Sequence, residues 1–133
     1  MKKRSLLDSF AVMAWLQNEK GAQTVEDLLR KAKETREKLL LHEINLAEVY
    51  YLTIRRAGDN QAKTIAAQME TLPIEVVSTT PEIIWQAARL KAQHKLSLAD
   101  AFAAGTAMQL GARIVTGDPE FKSISHMVEI LWL

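Results

Sequence analysis

The feature that most constrains the fold is the alternation of short, mainly apolar or β-branched runs with segments of helical periodicity along all 133 residues. Between the runs, apolar residues recur every three or four positions, which is the spacing of a helix with one buried face. Strands that are separated by helices pair in parallel, because each crossover returns the chain to the same edge of the sheet. The sequence therefore predicts a single three-layer α/β/α domain over 1–133, with a central parallel sheet of about five strands. The predicted strands lie at 5–7, 39–41, 74–77, 113–116 and 128–131.

Capping residues and turn formers mark the predicted helices. The helices are expected at 10–17, from Thr24, from Asn45 to Gly58, at 59–70, from Pro81, and from Ser97 to about Gly111. Asn45 and Ser97 are suited to the capping position, because their side-chain oxygens accept hydrogen bonds from the free amides of a first turn. Pro81 suits a first turn, where its missing N–H group costs nothing.

Composition excludes several kinds of chemistry. The chain has no cysteine, which excludes thiolate nucleophiles, cysteine-bound zinc and iron–sulfur clusters. The three histidines are scattered without the spacing of metal ligands. The 17 basic and 16 acidic residues give a net charge of +1, which by itself indicates neither a nucleic acid nor a membrane partner. No apolar run approaches the roughly 18 residues that span a bilayer, so a cytoplasmic protein is expected.

Four carboxylates occupy equivalent places in this pattern: each lies just after a predicted strand or in the first turn of a helix. They are Asp8, Glu48, Asp100 and Asp118. Taken singly, each has a structural interpretation as a helix cap, a first-turn acid or a turn former. Taken together, these places converge on the crevice at the carboxyl ends of parallel strands. Clustered carboxylates require protons or cations, and oxygen ligands favour Mg²⁺ or Mn²⁺. The pattern predicts metal-assisted attack of water on a phosphodiester.

Two basic groups are candidates for contact with such a substrate. Arg55 shares a helix face with Glu48, so it lies either beside the acids or at a solvated helix end. Lys91, His94 and Lys95 precede the helix that carries Asp100 and form a second group. The three tryptophans are expected in the core: Trp15, Trp85 and Trp132.

The whole chain resembles the PIN domain and, within it, the VapC-type toxins of prokaryotic toxin–antitoxin pairs. The resemblance rests on four segments in order, namely 6–9, 45–49, 98–104 and 114–121. It implies a Mg²⁺- or Mn²⁺-dependent ribonuclease in which the four carboxylates bind the metal and carry catalysis. Thr116 matches a position whose hydroxyl group often supports that site, and Ser9 is a weaker candidate for the same role.

The resemblance also implies partners: RNA, a homodimer, and a small antitoxin whose C-terminal segment covers the acidic site. An apolar groove near the first two helices would suit such a segment, and its candidate residues are Trp15, Leu16, Leu28 and Leu29. The chain departs from the pattern at Gly117, where many relatives carry a basic or amide residue. Glu120 stands where some relatives have a further acid, and its interpretation as a solvated loop residue is preferred.

Other functions are weighed against this one. A phosphatase of the haloacid dehalogenase type would need an Asp two residues after Asp8, and Phe10 occupies that position. An RNA maturation or decay nuclease without an antitoxin, and a PIN-like scaffold that binds without cleaving, both remain open. The RNA and its cleavage site are not readable from the sequence, because recognition of single strands depends on groove shape.

Overall fold

The computed structural model describes residues 3–133, so Met1 and Lys2 of the predicted domain lie outside the described residues. Strands and helices alternate as expected. The strands are β1 Ser5–Leu7, β2 Leu39–His42, β3 Ile74–Val77, β4 Arg113–Thr116 and β5 Ile130–Trp132. The helices are α1 Ser9–Leu16, α2 Ala22–Thr35, α3 Glu43–Ala57, α4 Asp59–Glu70, α5 Pro81–Gln93 and α6 Leu98–Leu110, with a 3₁₀ helix at Pro119–Ile124. No helix within residues 3–133 has both the length and the apolar character needed to cross a membrane.

The strands form one parallel sheet in the order β3-β2-β1-β4-β5. Strand β1 is central, and its Leu6 pairs with Leu40 on one side and with Ile114 on the other. The chain fills one side of β1 with β2 and β3 before it crosses to β4 and β5. This change of direction creates a crevice at the carboxyl ends of β1 and β4, where ligands bind in open α/β sheets. The predicted fold class is confirmed.

Side chains from both faces of the sheet build two separate cores. Leu6 and Leu7 are both fully buried but point to opposite faces, as successive residues of a strand do. Leu6 packs with Phe121 and with residues of α5 and α6. Leu7 packs with Val25, Val49 and residues of α1 to α4. The sheet is therefore the middle of three layers.

Helices α5 and α6 approach closely because α6 is lined with small residues. Ala101, Ala103, Ala104 and Ala107 are fully buried there. A Cβ atom added to Gly105 would lie 3.0 Å from the backbone nitrogen of Ala87 in α5. The close contact leaves α6 packed against β1, β2 and β4.

Two predicted helix starts are wrong. Helix α2 begins two residues before Thr24, after Gly21, which has a φ of +93° and makes no side-chain cap. Helix α3 begins at Glu43, and its cap is His42, whose Nδ1 accepts a hydrogen bond from the amide of Ile44. Asn45 lies inside the helix and is fully buried. Its side chain makes tertiary contacts instead of capping, as described below.

The prediction of a tryptophan-rich core is wrong for two of the three residues. Trp85 is 64% exposed on the outer face of α5, where the guanidinium of Arg89 lies 5.6 Å from its ring centre. Trp132 is 41% exposed in β5, an edge strand that begins two residues later than predicted. Trp15 is half-buried, and its indole N–H donates to Glu26 over 2.6 Å.

We expect Gly105→Leu to lower the free energy of unfolding by about 1–3 kcal/mol, because the new side chain would push α5 away from α6. Ala88→Leu, on the exposed face of α5, should change it by less than about 0.5 kcal/mol. Urea denaturation followed by circular dichroism measures both. Equal effects of the two substitutions would contradict the close helix contact.

Candidate metal centre

The predicted acids all lie at the carboxyl end of the sheet. Asp8 directly follows β1, and Asp118 follows β4 by two residues. Glu48 lies early in α3, which begins where β2 ends, and Asp100 lies in the first turn of α6. The parallel strands and the helices that follow them thus carry four carboxylates to one edge.

The carboxyl group of Asp8 is fully buried and held on both oxygens. One oxygen accepts from the amide of Ala11 over 2.8 Å, so that Asp8 also caps α1. The other accepts a short hydrogen bond from the hydroxyl group of Thr116. Burial raises the pKa of Asp8 to about 7, and the charges of Asp118 and Glu48 add to this, while the two hydrogen bonds oppose it.

Thr116 links the ends of β1 and β4. Its buried hydroxyl group donates to Asp8 and accepts from the amide of Asp118 over 2.9 Å. The Asp118 carboxylate in turn accepts from the amide of Glu120 and caps the 3₁₀ helix. A single hydroxyl group therefore sets the relative position of two acidic residues.

Asp100 is the second buried carboxyl group. Its Oδ2 atom is buried and has no hydrogen-bond partner. Burial raises the pKa of Asp100 to about 9, with further upward contributions from Asp118, Glu120 and Asp8. An acceptor atom left without a donor in this position is a ready ligand for a cation.

Oxygen atoms of Asp100, Asp118 and Glu120 all lie within 4.8 Å of one another. Two oxygens on opposite sides of one Mg²⁺ lie about 4.2 Å apart, so the group has close to the required spacing. Three carboxylates and an unpartnered buried oxygen fit a hard divalent cation. Asp8 and Glu48 lie outside this group of three. Asp8 interacts electrostatically with Asp100 and Asp118, and Glu48 interacts with Asp8.

Glu120, expected to be a solvated loop residue, lies in the 3₁₀ helix and belongs to the acidic group. It is partly exposed, but its Oε1 accepts from the amide of Ser97 over 3.1 Å and ties the 3₁₀ helix to the start of α6. The signal in the sequence was its position two residues after Asp118. The contact with Ser97 depends on how α6 packs, which the sequence pattern does not show.

Glu48 is oriented by two hydroxyl groups. Ser9 donates a short hydrogen bond to its Oε1, and Tyr51 donates to its Oε2 over 3.1 Å. Arg55 lies with its guanidinium 4.9 Å from the ring centre of Tyr51. Of the two positions considered for Arg55, the structure gives the solvated helix end, because Arg55 is exposed in the last turn of α3.

Asn45 contributes to the geometry of the site in a way that the sequence pattern did not predict. Its Oδ1 accepts from the amide of Ser9 over 3.2 Å, and its Nδ2 donates to the carbonyl of Ala99 over 3.3 Å. The side chain thus bridges the N-terminal ends of α1, α3 and α6, which carry Ser9, Glu48 and Asp100. Its capping preference offered a sufficient local explanation, so nothing in the sequence required this bridge.

The acids face a cleft of about 390 Å³. Its lining includes the carboxylates of Glu48, Asp100 and Asp118 and the side chains of Ser9 and Ser97. The other lining residues are Phe10, Met13, Ala14, Leu52, Glu19 and Lys20. The basic group predicted from Lys91, His94 and Lys95 does not line this cleft: Lys91 donates to the carbonyl of Leu96, and His94 faces His126.

The residues proposed for an apolar groove near the first two helices pack mainly inward. Leu29 is buried in the core, and Trp15, Leu16 and Leu28 are half-buried against it. None of them lines the cleft. The apolar surface beside the acids comes from Phe10, Met13 and Leu52 instead.

The raised pKa values predict how stability depends on pH. A carboxyl group whose pKa is higher in the folded state than its ordinary value of 3.8 stabilises the fold below that value. This stability is lost as the pH rises through about 7 for Asp8 and about 9 for Asp100. In EDTA, the free energy of unfolding should fall between pH 5 and pH 9, by on the order of 1 kcal/mol or more.

Substitution tests this assignment of the pH dependence. Asp8→Asn and Asp100→Asn should each flatten the dependence, whereas Asp59→Asn, at an exposed ion pair with Lys63, should leave it unchanged. Denaturant titrations at several pH values measure the effect. A stability that rises steadily from pH 5 to pH 9 without metal would contradict the burial of these carboxyl groups.

Asn45→Ala should lower the free energy of unfolding by about 1–3 kcal/mol, because it leaves the buried amide of Ser9 without its acceptor and removes the hydrogen bond to Ala99. It should also weaken Mn²⁺ binding by about tenfold or more, since outer residues orient metal ligands. Thr53→Val is the matched control, because the buried Thr53 hydroxyl bonds only to Val49 within α3. Calorimetric titration with Mn²⁺ separates them: equal Mn²⁺ affinity in the two variants would show that Asn45 is only structural.

Comparison with known proteins places this site in a family. The profile of the PIN domain matches residues 5–127. No curated protein sequence matches the chain.

Several solved structures share the fold at low sequence identity. A DNA-bound VapBC complex from Salmonella typhimurium is 14% identical, with a TM-score of 0.74 and 98% of each chain covered. VapBC2 from Rickettsia felis, bound to a promoter DNA fragment, is 16% identical, with a TM-score of 0.74 and 96% of each chain covered. VapC20 of Mycobacterium tuberculosis, a toxin that cleaves the Sarcin-Ricin loop, is 18% identical, with a TM-score of 0.67, covering 89% of this chain and 92% of that one. With the matched profile, the parallel sheet and the acids at its carboxyl edge, the chain belongs to the PIN domain family.

Proposed function

We propose that this protein is a Mg²⁺- or Mn²⁺-dependent endoribonuclease that acts as the toxin of a type II toxin–antitoxin pair. The observation that carries the proposal is the group of Asp100, Asp118 and Glu120, whose oxygens lie within 4.8 Å of one another. PIN domains are generally nucleases, and they typically use a divalent metal. An acidic site of this kind is suited to phosphodiester hydrolysis, because a cation there offsets the charge of the phosphate.

Asp100 and Asp118 would hold the cation, with Glu120 or Asp8 as a further ligand. The unpartnered Oδ2 of Asp100 and the spacing of the carboxylates support this choice. A bound divalent cation would polarise a phosphoryl oxygen of the substrate as a Lewis acid. It would also lower the pKa values that burial and mutual repulsion raise in the metal-free protein.

The other residues act by orientation. Thr116 holds Asp8 and the backbone of Asp118 in one arrangement, and Ser9 with Tyr51 holds both oxygens of Glu48. The N-terminal ends of α1, α3 and α6 meet at the cleft, and their partial positive charges favour an anionic phosphate. No side chain needs to become covalently modified for hydrolysis by water.

The toxin assignment is supported by the solved structures of similar fold, which include the VapBC complexes from Salmonella typhimurium and Rickettsia felis. By this likeness, we expect a small antitoxin protein and a homodimer as partners, and the cytoplasm as the place of action. A short gene directly upstream that encodes a protein with a DNA-binding N-terminus would support the pairing. An RNA maturation nuclease would lack such a neighbour.

Asp8→Asn, Asp100→Asn and Asp118→Asn should each lower the rate of RNA cleavage by at least about a hundredfold, because each removes charge that holds the cation. Expression of these variants should no longer inhibit cell growth. Asp59→Asn, which changes an acid on the exposed helix α4, is the matched control and should keep full activity. Cleavage of labelled single-stranded RNA in Mg²⁺ or Mn²⁺, followed on gels, measures the rates.

Full activity of Asp8→Asn would overturn the assignment of the site. Calorimetric titration with Mn²⁺ distinguishes a nuclease from a scaffold that binds without cleaving. An intact fold that binds no Mn²⁺ would favour the scaffold.

A further inference from the structure

Phe10 lies directly against Gly117 at the edge of the acidic centre. A Cβ atom on Gly117 would lie 2.3 Å from Cε1 and 2.7 Å from Cζ of Phe10, so the ring occupies the space of a side chain at that position. The ring nevertheless remains 42% exposed and lines the cleft. The glycine immediately before Asp118 therefore has a structural reason: it lets an aromatic ring lie beside the acids.

The ring belongs to an apolar wall of the same cleft. Phe10, Met13 and Ala14 come from successive turns of one face of α1, and Leu52 comes from α3, one turn after Glu48. The cleft is thus lined by carboxylates and by apolar side chains together. Glu19 and Lys20 also line it, and their opposite charges offset each other.

A nucleotide has the chemistry that this cleft requires. Its phosphate is an anion that a cation on the carboxylates would bind, and its base is flat and apolar on both faces. Proteins recognise single-stranded RNA largely by stacking unpaired bases on aromatic side chains. We propose that Phe10, with Met13 and Leu52, forms a nucleobase-binding subsite for a nucleotide adjacent to the cleaved phosphate. The inference rests on the proposed function.

The dimensions favour a base over a protein segment. A cleft of about 390 Å³ is in the range of small-molecule sites, which are mostly apolar with a few convergent polar groups. A stable protein interface buries about 800 Å² per partner, far more than four side chains offer. Stacking on a phenyl ring tolerates any base. Phe10 therefore contributes affinity and the placement of the strand, rather than sequence preference.

The test uses RNA oligonucleotides that carry the fluorescent base 2-aminopurine at successive positions, with Ca²⁺ in place of Mg²⁺ and gels to verify that the RNA stays intact. Stacking on an aromatic ring quenches 2-aminopurine. The unaltered protein should quench it most strongly at one position. Phe10→Ala and Phe10→Leu should remove this quenching and weaken binding by about tenfold, whereas Phe10→Trp should retain it.

Two further variants test whether the quenching comes from the ring of Phe10 in the cleft. Gly117→Ala should displace the ring and reproduce the loss of quenching while Phe10 itself is unchanged. Trp85→Ala removes an exposed aromatic residue outside the cleft and should have no effect. Thermal unfolding verifies the fold of each variant, and truncation of a half-exposed side chain should be tolerated.

The outcomes separate this inference from the proposed function. Quenching that depends on Phe10, in a protein that cleaves no RNA, would support the subsite and refute the nuclease. Quenching that is the same at every position in Phe10→Ala as in the unaltered protein would overturn the subsite, even if RNA is cleaved. A protein segment as the true occupant would give this second result.

Discussion

The buried carboxyl group of Asp8 is the constraint on which the acidic centre depends. It lies at the end of the central strand with no exposure to solvent, and burial of an unpaired charge is among the most costly events in folding. The structure compensates with a hydroxyl group from β4 and an amide from α1. It thereby joins the two strands at the crevice. The cost of burial, with a smaller contribution from repulsion among the acids, appears in the raised pKa values of Asp8 and Asp100.

The rest of the site is arranged around this point by three small bridges. Thr116 connects Asp8 to the backbone of Asp118, Asn45 connects the starts of three helices, and Glu120 reaches the start of α6. Each bridge satisfies buried or half-buried polar groups, which would otherwise destabilise the fold. Stability and the geometry of the site therefore depend on the same hydrogen bonds. A cation would relieve the repulsion that these bonds leave uncompensated.

Elements with a strong local signal were predicted well. Strand β3 is mainly β-branched and has the predicted bounds, and α5 begins at Pro81 as predicted. Asn45 and Trp85 show where local sequence signals did not predict the structure. An asparagine before a helical pattern is a good cap in isolation, but here its amide meets groups from two other helices. A tryptophan is apolar enough for a core, yet its exposure depends on which face of α5 meets the sheet.

The sequence by itself determined the alternation of strands and helices, the parallel sheet, and the appearance of four acids at strand ends or helix starts. These properties follow from apolar periodicity and chain order, which are local. The tertiary structure decided which oxygens meet: Asp100 and Asp118 form a group with Glu120, while Asp8 is enclosed behind them. It also decided that Gly117 makes room for Phe10. Distances between side chains on different elements depend on how closely the helices pack. Small residues such as Gly105 determine the helix–helix distance only in the assembled structure.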